Sequence, residues 1–146
     1  MTEFQYVDIL LAEDTATDAE MTMRVLRKRG LANNLIWVKD GSEAIDFLFR
    51  QGAYAGSSNG KPKLVLLDVK MPKVDGIEVL RRIREDDSLR TVPVVMLTSS
   101  AEERDVVESY RLGANSYIVK PVDTVEFDKV IGDIGFYWML VNKLPS

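Results

Sequence analysis

The sequence predicts an α/β fold, a five-stranded parallel sheet with helices on both faces. Three observations carry that expectation. Short apolar or β-rich runs recur at Tyr6 to Ala12, Leu35 to Val38, Leu64 to Leu67, Val92 to Leu97 and Ser116 to Val119. The segments between them carry apolar residues at helical spacing. Strand and helix patterns therefore alternate, which implies parallel strands joined by right-handed crossovers. The 146 residues suit one domain over 1–146 with a short C-terminal appendage at 141–146.

Tyr6 to Ala12 reads as the first strand and runs into the acid pair Glu13-Asp14. Ala19, Met23 and Leu26 then mark a helix. Thr17 or Asp18 is placed to cap its start and Gly30 to end it. Leu35 to Val38 is the second strand. Asp40-Gly41-Ser42 turns the chain into a helix carrying Ala44, Ile45, Leu48 and Phe49. Gly52 to Pro62 is rich in Gly and Ser and reads as a flexible, solvated connection.

Leu64 to Leu67 is an unbroken apolar run closed by Asp68, then punctuated by Met71-Pro72 and Asp75-Gly76. Such a run reads as a strand buried on both faces, with Asp68 at its carboxyl end. Ile77, Leu80 and Ile83 space as the third helix, with Arg81, Arg82 and Arg84 outside. Val92 to Leu97 is the fourth strand, closed by Thr98. Val106, Val107 and Tyr110 mark the fourth helix, which Gly113 ends. Ser116 to Val119 is the fifth strand and leads to Lys120-Pro121. Phe127, Ile131, Ile134 and Trp138 mark a last helix, which Gly132 and Gly135 weaken.

Composition removes several chemistries. The chain contains neither cysteine nor histidine. Thiolate metal sites, disulfides, Ser-His triads, a His general base and a phosphohistidine on this chain are excluded. Any chemistry comes from carboxylates, lysine, hydroxyls or a bound metal. A net charge of −4 argues against bulk attraction to nucleic acid or an anionic membrane. The N-terminus lacks a basic n-region and no apolar run has spanning length, so a cytoplasmic location is expected.

Parallel strands bring their carboxyl ends to one edge, where ligands of open α/β sheets bind. That edge gathers Glu13 and Asp14, Asp68, Thr98 and Lys120. Three carboxylates close together repel unless one takes a proton or a cation is recruited. Magnesium suits such hard oxygen ligands and retains waters that a phosphate can replace. Asp68 beside a cation is then a candidate nucleophile toward phosphorus, with Lys120 and Thr98 sharing the charge of the transferring group. Taken singly, each residue has a plainer role: a turn-starting acid, a helix cap, a surface lysine. Their joint occurrence at successive strand ends is what carries the argument.

The motifs ILLAEDTATDAEM, LVLLDVKMPKVDGIEVL, PVVMLTSS and SYIVKP, in this order, resemble the receiver domain of two-component response regulators. The resemblance implies the flavodoxin-like (βα)5 receiver fold and assigns roles residue by residue. Asp68 matches the phospho-acceptor. Glu13 and Asp14 match the acid pair that holds Mg2+, with Glu13 standing where many members have Asp and acting through a water. The backbone carbonyl of Lys70 matches the third protein ligand. Thr98 matches the switch hydroxyl, Tyr117 the switch aromatic and Lys120 the phosphoryl-contacting lysine. Pro121 matches a proline that follows a cis bond. QGAYAG and FYWMLVNKLP resemble the stand-alone regulators that accompany bacterial phytochromes.

That likeness implies a histidine kinase partner, possibly a phytochrome in its narrower form, and a protein that accepts a phosphoryl group rather than an enzyme. It also implies a homodimer through the fourth helix, fifth strand and fifth helix. Phe136, Tyr137, Met139, Leu140 and Val141 add apolar surface to that expectation. The main rival is a receiver-like interaction module that works without phosphorylation. A dehalogenase-type phosphatase would need an acid where Lys70 stands, and a flavin carrier would need a phosphate loop where Glu13-Asp14 stand.

Overall fold

A computed structural model describes residues 8–31, 34–56, 61–99, 102–120, 125, 126 and 129. The five expected strands are present: β1 (Ile9–Ala12), β2 (Leu35–Val38), β3 (Leu64–Leu67), β4 (Val94–Thr98) and β5 (Ser116–Val119). They form one sheet in the order β2-β1-β3-β4-β5, every neighbouring pair parallel. The order reverses beside β1, so the crevice between β1 and β3 opens at the carboxyl edge. Four helices alternate with the strands: α1 (Ala16–Lys28), α2 (Gly41–Phe49), α3 (Gly76–Glu85) and α4 (Glu103–Arg111). The fifth helix expected around Phe127 to Trp138, Pro121 and the tail lie outside the described residues.

Strand residues alternate between two cores because successive side chains point to opposite faces. Leu10, Ala12, Val65, Leu67, Val94 and Met96 pack with α2 and α3. Ile9, Leu11, Leu64, Leu66, Val95 and Leu97 pack with Ala19 and Leu26 of α1. β1, β3 and β4 are buried on both faces, which is why their sequences are continuous apolar runs. In the expected loop, Gly52–Tyr54 forms a 3-10 turn, and Tyr54 meets Phe47 edge-on with ring centroids 5.2 Å apart.

Two expectations are corrected. α1 starts earlier than its proposed caps: Thr15 is the N-cap, and Asp18 lies inside the first turn. Thr15 makes no side-chain cap bond; its carbonyl accepts from the Ala19 amide at 2.9 Å and its own amide donates to Glu13 Oε2 at 3.2 Å. Arg84 does not stand free outside α3. It is half-buried and donates to the carbonyls of Gly113 (2.7 Å), Val92 (2.6 Å) and Arg90 (3.2 Å). Burial pulls its pKa below the usual arginine value, and the ring of carbonyls holds the cation there. Gly113 closes α4 at φ +96, and its free side lies against Arg84.

α4 forms where the sequence places it, and it turns a polar face inward. Val107 and Tyr110 are 56% and 49% exposed, whereas Asp105 and Ser109 are buried. Asp105 is paired with the exposed Lys70, whose Nζ lies 3.6 Å from its Oδ2. Val106 is half-buried.

Candidate functional site at the carboxyl edge

Local geometry fixes each acid before any ligand is considered. Glu13 and Asp14 sit in the turn between β1 and α1. The Glu13 amide donates to Val38 O at 3.0 Å, and Trp37 Nε1 donates to Glu13 O at 2.7 Å. The turn is thus clamped to β2 from both sides of one residue. Asp68 follows β3, and its amide donates to Ala12 O at 3.0 Å, which locks it beside the acid pair. Gly76 begins α3 directly against this backbone. A Cβ there would lie 2.0 Å from Asp68 O, so only glycine lets the helix start so close. Lys73, at φ 70, bends the intervening loop back.

The side chains converge as the strand ends predicted. Glu13, Asp14 and Asp68 each offer a carboxylate oxygen within 4.8 Å of the others. Glu13 and Asp68 are buried and Asp14 is exposed. Lys120, whose side chain is only 9% exposed, reaches into this group from the end of β5. Its Nζ lies 3.0 Å from Asp68 Oδ2, 3.0 Å from Asp18 Oδ2 and in close contact with Glu13 Oε1. Lys120 N donates to Thr98 O at 2.8 Å, and Thr98 itself is fully buried at the end of β4. Lys70 follows Asp68 by two residues, and its amide donates to Asp68 Oδ1 at 3.3 Å. Tyr117 is half-buried on β5 and packs on the α2/α3 side of the sheet.

The electrostatics follow from this crowding. Burial pushes the Glu13 carboxyl up to about 7; Lys120 opposes this, while the Asp68 charge adds to it. Burial pulls the Lys120 ammonium down, but its bonds to Glu13, Asp18 and Asp68 outweigh that and raise it. The lysine is therefore a fixed cation among carboxylates. Three clustered carboxylates with one open, solvent-facing member fit a hard divalent ion. The ammonium lodged between Glu13 and Asp68 shows that the pocket already favours positive charge.

Sequence reasoning missed three participants. Asp18 was readable only as a helix cap, although its spacing of one helical turn from Asp14 would have brought it to the same edge. Trp37 was read simply as part of an apolar strand. Asp105 was masked by the valines beside it.

Comparison with known proteins gives a consistent result. Residues 9–132 match the family model "Response regulator receiver domain". Response regulator Rcp1 of Synechocystis sp. is 38% identical over 138 residues, covering 94% of this chain and 92% of that protein. The crystal structure of the Mn(2+)-bound form of Rcp1 superposes with a TM-score of 0.75 at 37% identity, covering 97% of this chain and 99% of that one. The bacteriophytochrome response regulator AtBRR gives a TM-score of 0.81 at 48% identity, covering 97% of this chain and 100% of that one. The phosphorylated cyanobacterial phytochrome response regulator RcpA gives 0.76 at 35% identity, covering 99% and 100%. Among the described residues no helix is long and apolar enough to cross a membrane.

Proposed function

Because the chain belongs to the response regulator receiver family, we propose that it accepts a phosphoryl group on Asp68 from the phosphohistidine of a partner kinase. The observation that carries this reading is the Lys120 ammonium, 3.0 Å from Asp68 Oδ2 and nearly excluded from solvent. A cation so placed pairs with Asp68 before transfer and with a phosphoryl oxygen after it.

In the transfer, a carboxylate oxygen of Asp68 bonds to phosphorus. The N–P bond to the kinase imidazole breaks, and that nitrogen keeps the electron pair. The product is an acyl phosphate on Asp68. This chain has no histidine, so the donor stands on another protein. Glu13, Asp14, Asp68 and the Lys70 carbonyl would hold a magnesium ion, which would supply positive charge against the phosphoryl oxygens. Thr98 ends the strand between those that carry Asp68 and Lys120, and its hydroxyl donates to the phosphoryl group. Tyr117 turns inward as Thr98 moves, and the surface of α4 and β5 changes its preferred partner. The chain is a stoichiometric acceptor in the cytoplasm rather than an enzyme acting on other molecules.

The kinase is a bacterial phytochrome. AtBRR is a bacteriophytochrome response regulator and RcpA a cyanobacterial phytochrome response regulator, and similarity to both spans nearly the whole chain. A homodimer forms through α4, β5 and the fifth helix. Val107, Tyr110 and Val119 on α4 and β5 are exposed apolar side chains that such a contact would cover.

Intact-mass spectrometry after incubation with acetyl phosphate tests the chemistry. Addition of one phosphoryl group that needs magnesium and vanishes in Asp68→Asn is expected. No addition to the wild-type protein under any condition overturns the reading and leaves an unphosphorylated interaction module. Sedimentation tests the dimer, and a monomer at high micromolar concentration in both phosphorylation states would sink it.

A further inference from the structure

Lys120 has one carboxylate partner more than phosphoryl transfer calls for. Glu13 and Asp68 belong to the acidic group suited to a divalent cation, but Asp18 does not. Asp18 comes from the first turn of α1, and its Oδ2 lies 3.0 Å from Lys120 Nζ. Its side chain is 35% exposed, against 1% for Glu13 and 6% for Asp68. The helix N-terminus favours a carboxylate at this position.

A divalent cation taking oxygens from Glu13 and Asp68 would take two of the three partners of Lys120. Two positive centres would then compete for the same carboxylates. An ammonium this deeply buried does not remain without a counter-ion. Asp18 is the remaining partner, and it lies on the more solvated side of the lysine. Its weaker, screened pull can also be relinquished when a phosphoryl oxygen arrives.

We propose that Asp18 is a positioning residue for the receiver reaction, holding the Lys120 ammonium beside Asp68 while a divalent cation occupies Glu13 and Asp68. The proposal rests on the reading that the acidic group binds such a cation. A plainer role for Asp18, favouring the N-terminus of α1 by charge alone, would affect melting but would not couple cation binding to Lys120.

The test is a double-mutant cycle on the full chain: wild type, Asp18→Asn, Lys120→Met and the pair. Magnesium dissociation constants are measured by calorimetry at pH 8, above the raised pKa of about 7 for Glu13. Asp18→Asn should weaken magnesium by about threefold to fivefold when Lys120 is present, the size of one screened ion pair. In the Lys120→Met background the loss should shrink below about twofold, the scatter expected of independent sites. Equal losses in both backgrounds would mean that Asp18 acts on the ion through space, and no loss would leave only the helix role; either overturns the proposal. Absence of magnesium binding by the wild type would instead overturn the reading of the acidic group, and the proposal with it.

A second measurement needs no change at Lys120. With 15N-lysine labelling and magnesium bound, the Lys120 ammonium should give a slowly exchanging resonance in wild type that broadens away in Asp18→Asn. An unchanged resonance would also overturn the proposal.

Discussion

α3 and α4 are neighbours on the same side of the sheet, similar in length and both rich in Arg and Glu, yet they are mounted by opposite means. α3 buries Val79, Leu80 and Ile83, is capped by Asp75 accepting from the Glu78 amide at 2.9 Å, and is pinned at its far end by Arg84. α4 buries Asp105 and Ser109, has no side-chain bond from its N-cap, and turns Val107 and Tyr110 to solvent. None of Val106, Val107 and Tyr110 belongs to either hydrophobic core. Apolar burial is non-directional and holds a helix wherever it lands, whereas an ion pair and a polar inner face define a position that charge can change. The difference marks α3 as scaffold; under the proposed phosphoryl transfer, α4 would be the element that responds to charge added at Asp68.

The comparison can be broken or sharpened by experiment. The largest effect is expected from Leu80→Ala, which empties a fully buried position on α3. It should cost about 2–5 kcal/mol in urea unfolding. A cost close to that of a surface change would end the view of α3 as scaffold. Arg84→Ala should cost about 1–3 kcal/mol, because the Val92 and Gly113 carbonyls lose a charged donor. Retention of full stability there would show that the pin is not a fastening.

On α4 the sign should reverse. Ser109 Oγ is buried without a hydrogen-bond partner among the described residues. Ser109→Ala should therefore stabilise by about 1 kcal/mol, removing an unsatisfied group and raising helix propensity. A destabilised variant would reveal a partner for that hydroxyl. Val107→Ala should change stability by less than about 0.5 kcal/mol, as for ordinary surface sites. In native-state hydrogen exchange, α4 amides should open at lower free energy than those of α3. The same protection in both helices would erase the distinction.

Much of this was legible in the sequence because the signals are local. Each strand is an apolar run, and the residue that ends it falls at the carboxyl edge whatever the remainder of the chain does. Glu13, Asp68 and Lys120 could thus be gathered without coordinates. What was not legible depends on partners far along the chain. Asp18 looks like a cap until Lys120, separated from it by 102 residues, is placed beside it. The spacing of Val106, Val107 and Tyr110 fits a core stripe. That Asp105 is buried and pairs with Lys70, while Val107 and Tyr110 face solvent, depends on a partner 35 residues away in the chain. Arg84 read as an outer charge for the same reason: the carbonyls that bind it come from the turns that precede β4 and β5.

The hydrogen bond from Trp37 to the Glu13 carbonyl has an optical consequence. The indole is held 2.7 Å from the backbone of the acid pair, with the Lys39 ammonium 5.5 Å from its ring centre. Indole emission responds to the electric field across the ring, and the sequence holds one other tryptophan, Trp138. In a Trp138→Phe background, the colour and lifetime of the remaining fluorescence would follow charge arriving at or leaving the carboxyl edge. The strand that clamps the turn also gives the protein an intrinsic gauge of its own site.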